Sequence, residues 1–125
     1  MNKSQALQSF WSSFSVGNKP IPAYDESTVP EATGFPRITY EVQEDSIGNS
    51  VFLTASVWDR NLSWVRSEQI ADDIAEYIGL GGININYKGG MLWIKRGTPF
   101  SQRVSDTDDS IRRILINIEA EYIGG

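Results

Sequence analysis

The chain contains no cysteine and no histidine. Without cysteine there are no disulfides and no thiolate metal site. Without histidine the commonest general base and commonest metal ligand are gone, and so is any Ser-His or Cys-His nucleophile system. Positive charge is also scarce: eleven Lys and Arg against sixteen Asp and Glu give a formal net charge of −5. That balance argues against a broad phosphate-gripping surface, though not against a protein past which DNA slides without sticking. No apolar run approaches membrane-spanning length, and the start, Met1-Asn2-Lys3-Ser4-Gln5, has no signal-peptide core. We expect a protein kept in a cytosol until used, with no membrane partner.

What remains is a chain of 125 residues, 40% hydrophobic, which suits one domain (1–125) with one core. Leu7, Phe10, Trp11 and Phe14 fall at i, i+3, i+4 and i+7 and predict an amphipathic helix. Ser4 is the expected N-cap, and Gly17, Asn18 and Pro20 are the expected stop. Residues 17–36 hold four of the five prolines, Pro20, Pro22, Pro30 and Pro36, so this long connection cannot be a central strand. Its Tyr24, Val29 and Phe35 give it something to pack with, and part of it could wrap onto a neighbouring subunit.

Ile38, Tyr40 and Val42 alternate with polar residues, as in a half-buried strand. A polar turn at Glu44–Ser50 and a strand from Val51 to Asp59 complete an antiparallel hairpin. A second helix is expected between Trp64 and Gly79, with Ile70, Ala71, Ile74, Tyr77 and Ile78 on its apolar face. Its other face carries Glu68, Asp72 and Glu76 at i, i+4 and i+8. Like charges at that spacing repel. The stripe is either a solvated face, a partner for basic groups elsewhere, or the lining of an acidic surface. Ile83–Tyr87 and Met91–Lys95 read as a hairpin about Lys88-Gly89-Gly90, with Gly97-Thr98-Pro99 ending the second strand. Residues 111–123 fit both periods, but their isoleucines favour a strand. The expected order is α-β-β-α-β-β-β: an α+β domain, one mostly antiparallel sheet covered on one face by two flanking helices.

Little here resembles a catalytic constellation. Asp106, Asp108 and Asp109 could in principle hold Mg2+ or Ca2+, but the glycine and distal glutamate of an EF-hand loop are missing. The glycine pairs match neither the P-loop nor the dinucleotide fingerprint. We therefore expect no enzyme, no metal and no cofactor. Charge is unevenly spread. Residues 77–105 have no acid and four bases, Lys88, Lys95, Arg96 and Arg103, whereas residues 1–59 have three bases and seven acids. If these lie on different sides, copies attract head to tail, and such a contact closes into a ring or grows a filament. The alternative is that the charges interleave on the folded surface.

Three stretches resemble one family. They are the N-terminal helix leading into Ile21-Pro22-Ala23-Tyr24-Asp25-Glu26-Ser27-Thr28-Val29-Pro30, the run Phe35-Pro36-Arg37-Ile38-Thr39-Tyr40-Glu41-Val42, and Leu53-Thr54-Ala55-Ser56-Val57-Trp58-Asp59-Arg60 followed by a helix with Ile70, Ile74 and Ile78. Together they resemble the small tail-terminator or tail-completion (neck) proteins of siphophages, with a lambda-like tail-terminator fold. The resemblance implies a homo-hexameric ring of structural subunits in the virion, assembled in the host cytoplasm. Such a ring caps the tail tube, stops its elongation and joins the tail to head-completion proteins, and viral DNA passes through its lumen without specific binding. On that reading the expected interface residues are Tyr24, Val29, Lys88, Arg96 and Arg103. Glu68, Asp72 and Glu76 are the expected lumen or acidic face. Rival readings are another neck, head-closure or minor capsid protein, a carbohydrate- or peptide-binding module built on Trp11, Trp58, Trp64 and Trp93, and a small hydrolase with a carboxylate metal site at Asp106–Asp109.

Overall fold

The computed structural model describes residues 1–31, 33–43 and 50–124. It is an α+β domain with, among the described residues, two helices and eight strands: α1 (Lys3–Trp11), β1 (Ser15–Val16), β2 (Lys19–Pro20), β3 (Ala23–Asp25), β4 (Arg37–Tyr40), β5 (Ser50–Arg60), α2 (Val65–Ile78), β6 (Ile83–Tyr87), β7 (Gly90–Val104) and β8 (Ile111–Gly124). Six strands form one sheet in the order β3-β4-β5-β8-β7-β6, antiparallel except for the parallel β3–β4 pair. The expected order therefore needs correcting by three short strands in the proline-rich connection. β1 and β2 pair only with each other among the described residues, and β3 is an edge strand, a position in a sheet that tolerates nearby prolines.

α1 starts earlier than expected. Asn2, not Ser4, is the N-cap: its Oδ1 accepts the Gln5 N–H at 2.9 Å, and the Asn2 N–H donates to Gln5 Oε1 at 2.8 Å. That reciprocal pair satisfies two N-terminal donors, as a capping box does. The helix also ends at Trp11, before Gly17. Phe14 stays in the core beyond it, edge-on to Phe10 and Tyr77.

The strand ambiguity at the C-terminus resolves as β8, whose buried Ile114, Ile116, Ile118, Ala120 and Tyr122 alternate with half-buried residues. On β5 the matching buried set is Val51, Leu53, Ala55 and Val57, paired across the sheet with Ala120, Ile118, Ile116 and Ile114. α2 covers this apolar centre through Ile70, Ala71, Ile74 and Ile78. Tyr77, expected on that face, is half exposed and instead borders Phe10 and Phe14. α1 touches both edge strands, β3 and β6. The sheet must therefore curl around it, with both helices on the concave side.

β7 does not end at Gly97-Thr98-Pro99 but continues to Val104. Pro99 cannot donate to a ladder, and the strand absorbs it as a bulge. Arg96 pairs with Ile118 and Ser101 with Ile116, so five residue steps on β7 face two on β8. Asn117 pins the bulge by donating to the Pro99 carbonyl at 2.9 Å. Gly97 is required there, since a Cβ would meet the Asn117 carbonyl oxygen at 2.7 Å. Of the expected turn at Glu44–Ser50, Ser50 instead opens β5, and residues 44–49 lie outside the described residues.

Candidate interaction surfaces

The convex face of the sheet is the first candidate. No described helix lies over it. The register sets Arg37, Trp58 and Arg113 in one row across β4, β5 and β8, and Thr39, Ser56 and Leu115 in the next. Because β4 and β8 flank β5, the two guanidiniums stack on opposite sides of the Trp58 indole, at 5.6 Å for Arg37 and 4.6 Å for Arg113. Arg37 also lies 4.4 Å over the Phe35 ring, and Arg60 lies 4.9 Å over that same ring. The result is an alternating stack of three arginines and two aromatic rings. It is oriented by polar contacts: Trp58 Nε1 donates to Thr39 Oγ1 at 2.9 Å, and Arg113 Nε donates to Ser56 Oγ at 3.0 Å.

The three arginines are not equally satisfied. Arg60 is paired with Asp108 at 3.3 Å and Ser110 at 2.8 Å. Arg37 and Arg113 face no carboxylate among the described residues, and Arg37 Nε is buried with no hydrogen-bond partner. Further along the same face Phe52 is 72% exposed. Its row continues through Glu119 to Lys95, which form an ion pair at 3.5 Å.

The second candidate is α2. Glu68 is engaged by Arg103, whose Nε donates to Glu68 Oε1 at 2.8 Å and whose Nη2 bonds the same oxygen. Asp72 and Glu76 are exposed and carry no ion pair or hydrogen bond among the described residues. Glu68, Asp72 and Arg103 border a cleft of about 270 Å³ between α2 and β7.

These contacts redistribute the expected site residues. Arg103 is half occupied by Glu68. Arg96 donates its Nε to the Ala75 carbonyl at 2.9 Å, closing α2 onto β7. The bases of residues 77–105 therefore do not form a separate basic side: two of the four hold acids and one holds a helix carbonyl. Lys88 is exposed in the β6–β7 turn, where its backbone N–H donates to the Met1 carbonyl. Tyr24 sits half-buried on edge strand β3, and Val29 half-buried in the loop after it. The arginine stack was missed. Its signal is the spacing Phe35-x-Arg37 and Trp58-x-Arg60, which gains meaning only once the register is known.

Asp106 and Asp108 are spent on their own turn. Asp106 Oδ1 accepts the Asp108 N–H at 3.0 Å, and Asp108 Oδ1 accepts the Ser110 N–H at 2.9 Å and its hydroxyl at 2.7 Å. Those bonds hold the Asp108 carboxyl below its ordinary range, the Ser110 hydroxyl first. Among the described residues no cluster of acidic side chains is arranged to hold a metal, and no helix is long and apolar enough to cross a membrane. Trp11 is buried in the core, and Trp58, Trp64 and Trp93 are half-buried with guanidinium or ammonium groups stacked on them. No family model, no curated protein and no solved structure matches the chain.

Proposed function

We propose that the chain is a ring-forming structural subunit of a siphophage neck, a tail terminator. It would cap the tail tube, end its elongation and join the tail to head-completion proteins, with DNA passing through the lumen. The observation that carries this reading is the convex sheet face, left uncovered by both helices while bearing an exposed Phe52 and two arginines, Arg37 and Arg113, with no acid partner among the described residues. Large apolar groups and unneutralised charge on one face are what an assembly surface leaves in the free subunit. The role needs no catalytic residue, which agrees with a chain that has neither histidine nor cysteine. A glycan platform is less well supported, because the half-buried tryptophans are already covered by cations.

The test is light scattering over a concentration series, followed by electron microscopy with purified tail tubes. A ring of about six subunits, or a cap at one end of the tube, is expected, since heterologous contacts close into rings. A monomer at all concentrations that ignores tubes overturns the reading.

A further inference from the structure

We propose that the joint between neighbouring copies is formed by Asp72 and Glu76 on α2 of one copy seated on the Arg37–Trp58–Arg113 stack of the next. This rests on the ring reading above and specifies which surfaces meet.

The two patches are complementary in charge, and neither carries an ion pair among the described residues. Two guanidiniums held on either side of one indole repel each other; Arg113 Nε is held by Ser56 and Arg37 Nε is buried, so it is their terminal N–H groups that stacking on the ring leaves to take carboxylates. Among the described residues Arg37 and Arg113 have no such partner, and the row holds no acid. Asp72 and Glu76 repel each other in turn, since i, i+4 carboxylates share one helix face. Arg103 relieves only Glu68.

The spacing also fits. Two strand intervals separate the backbones of Arg37 and Arg113, about 9–10 Å. One turn of helix separates Asp72 from Glu76, about 6 Å. Side chains of this length bridge the difference.

Position decides the symmetry. α2 lies on the concave side of the sheet and the arginine stack on the convex side. No copy can therefore satisfy itself, and a two-fold pairing of one patch with itself would set like charges together. The contact must run head to tail, the kind that closes into a ring or extends as a filament. It places Asp72 and Glu76 in the joint between subunits, not on the channel wall.

The experiment uses the full chain in three forms: wild type, Arg37→Glu/Arg113→Glu, and Asp72→Lys/Glu76→Lys. Circular dichroism confirms that each is folded; the helix variant changes only exposed side chains and guards against loss of fold in the other. Association is read by analytical ultracentrifugation at low and high salt. Each reversal alone is expected to weaken association about tenfold or more, as loss of close charge pairs does. An equimolar mixture of the two variants is expected to restore it, because alternating copies then present opposite charges at every joint. Wild-type association untouched by either reversal overturns this joint and leaves the ring reading standing. A wild type that is monomeric throughout overturns this joint, and the ring reading with it if the protein also ignores tail tubes. Variants that dissociate but are not rescued by mixing also overturn it. So does unchanged association combined with loss of duplex DNA retention by Arg37→Glu/Arg113→Glu, which would assign the arginines to phosphate.

Discussion

Arg103 on β7 and Glu68 on α2 form an ion pair in which the guanidinium's Nε and one terminal nitrogen both reach a single carboxylate oxygen. Thirty-five residues apart in sequence, they join the expected interface set to the expected acidic face within one subunit. Both side chains are roughly half exposed, 58% for Arg103 and 44% for Glu68, so water screens them. Such pairs contribute about 0–1 kcal/mol. Glu68→Gln is expected to lower the unfolding free energy by less than about 1 kcal/mol, with the effect shrinking as salt rises. Urea titrations at two ionic strengths check this; a loss of several kcal/mol would mean the pair closes α2 onto the sheet.

The pair between Arg66 and Asp59 should behave differently. Asp59 is fully buried, and Arg66 holds both its oxygens, Nε to Oδ2 at 2.9 Å and Nη2 to Oδ1. The hydrogen bond to Asp59 is also the main reason the Arg66 guanidinium titrates even higher than usual. Removing the cation strands a buried carboxylate, which costs about 3–5 kcal/mol. Because 40% of the Arg66 side chain is exposed, Arg66→Met is expected near the lower end, about 3 kcal/mol. Chemical unfolding of Arg66→Met beside Arg103→Met tests the contrast. Equal losses would show that burial of Asp59 does not set the cost.

Stability should fall at both ends of the pH scale for separate reasons. Burial, and after it the Asp25 carboxylate, raises the Tyr40 phenol above its ordinary value of 10.0. A raised folded value means stability present in full below the unfolded value of about 10, lost as pH climbs through the folded one. Asp108 is the opposite case, depressed by Ser110 and then Arg60. Its contribution is present above the unfolded value of about 3.9 and is lost as pH drops through the folded one. Melting temperatures against pH should show a smaller alkaline loss in Tyr40→Phe and a smaller acid loss in Ser110→Ala. Curves parallel to wild type would rule out these groups as the source.

The bulge in β7 shows where the sequence was legible and where it was not. The helices were readable because Ile70, Ile74 and Ile78 repeat at the helical period, and β8 because its isoleucines alternate. Those are local signals. Pro99 was also read locally, as the end of a strand, but the sheet tolerates it by shifting three residues out of register against β8. That outcome depends on Gly97 and Asn117, which meet only through pairing with a distant strand. The arginine stack was invisible for the same reason. Gly97→Ala would place its Cβ 2.7 Å from the Asn117 carbonyl oxygen. Overpacking of this kind costs about 1–3 kcal/mol. A loss below about 0.5 kcal/mol, the usual scatter of surface changes, would mean that the bulge is freer to move than its pinned geometry implies.

Phe52 separates fold from assembly most cleanly. It sits on the convex face, 72% exposed and opposite Glu119, so the core does not depend on its ring. Phe52→Thr puts a β-branched residue, which suits a strand, in place of the ring and removes the exposed aromatic surface. Unfolding free energy should change by less than about 0.5 kcal/mol, as for other exposed positions. Association should weaken, because a standard interface of about 800 Å² per partner is roughly 30 Å across and takes in both Phe52 and the arginine stack six residues along β5. Sedimentation of Phe52→Thr beside wild type reads this directly. If association is unchanged while the Arg37 and Arg113 reversal abolishes it, the joint is confined to the arginine end of the sheet. If neither change matters, the convex face is not where subunits meet.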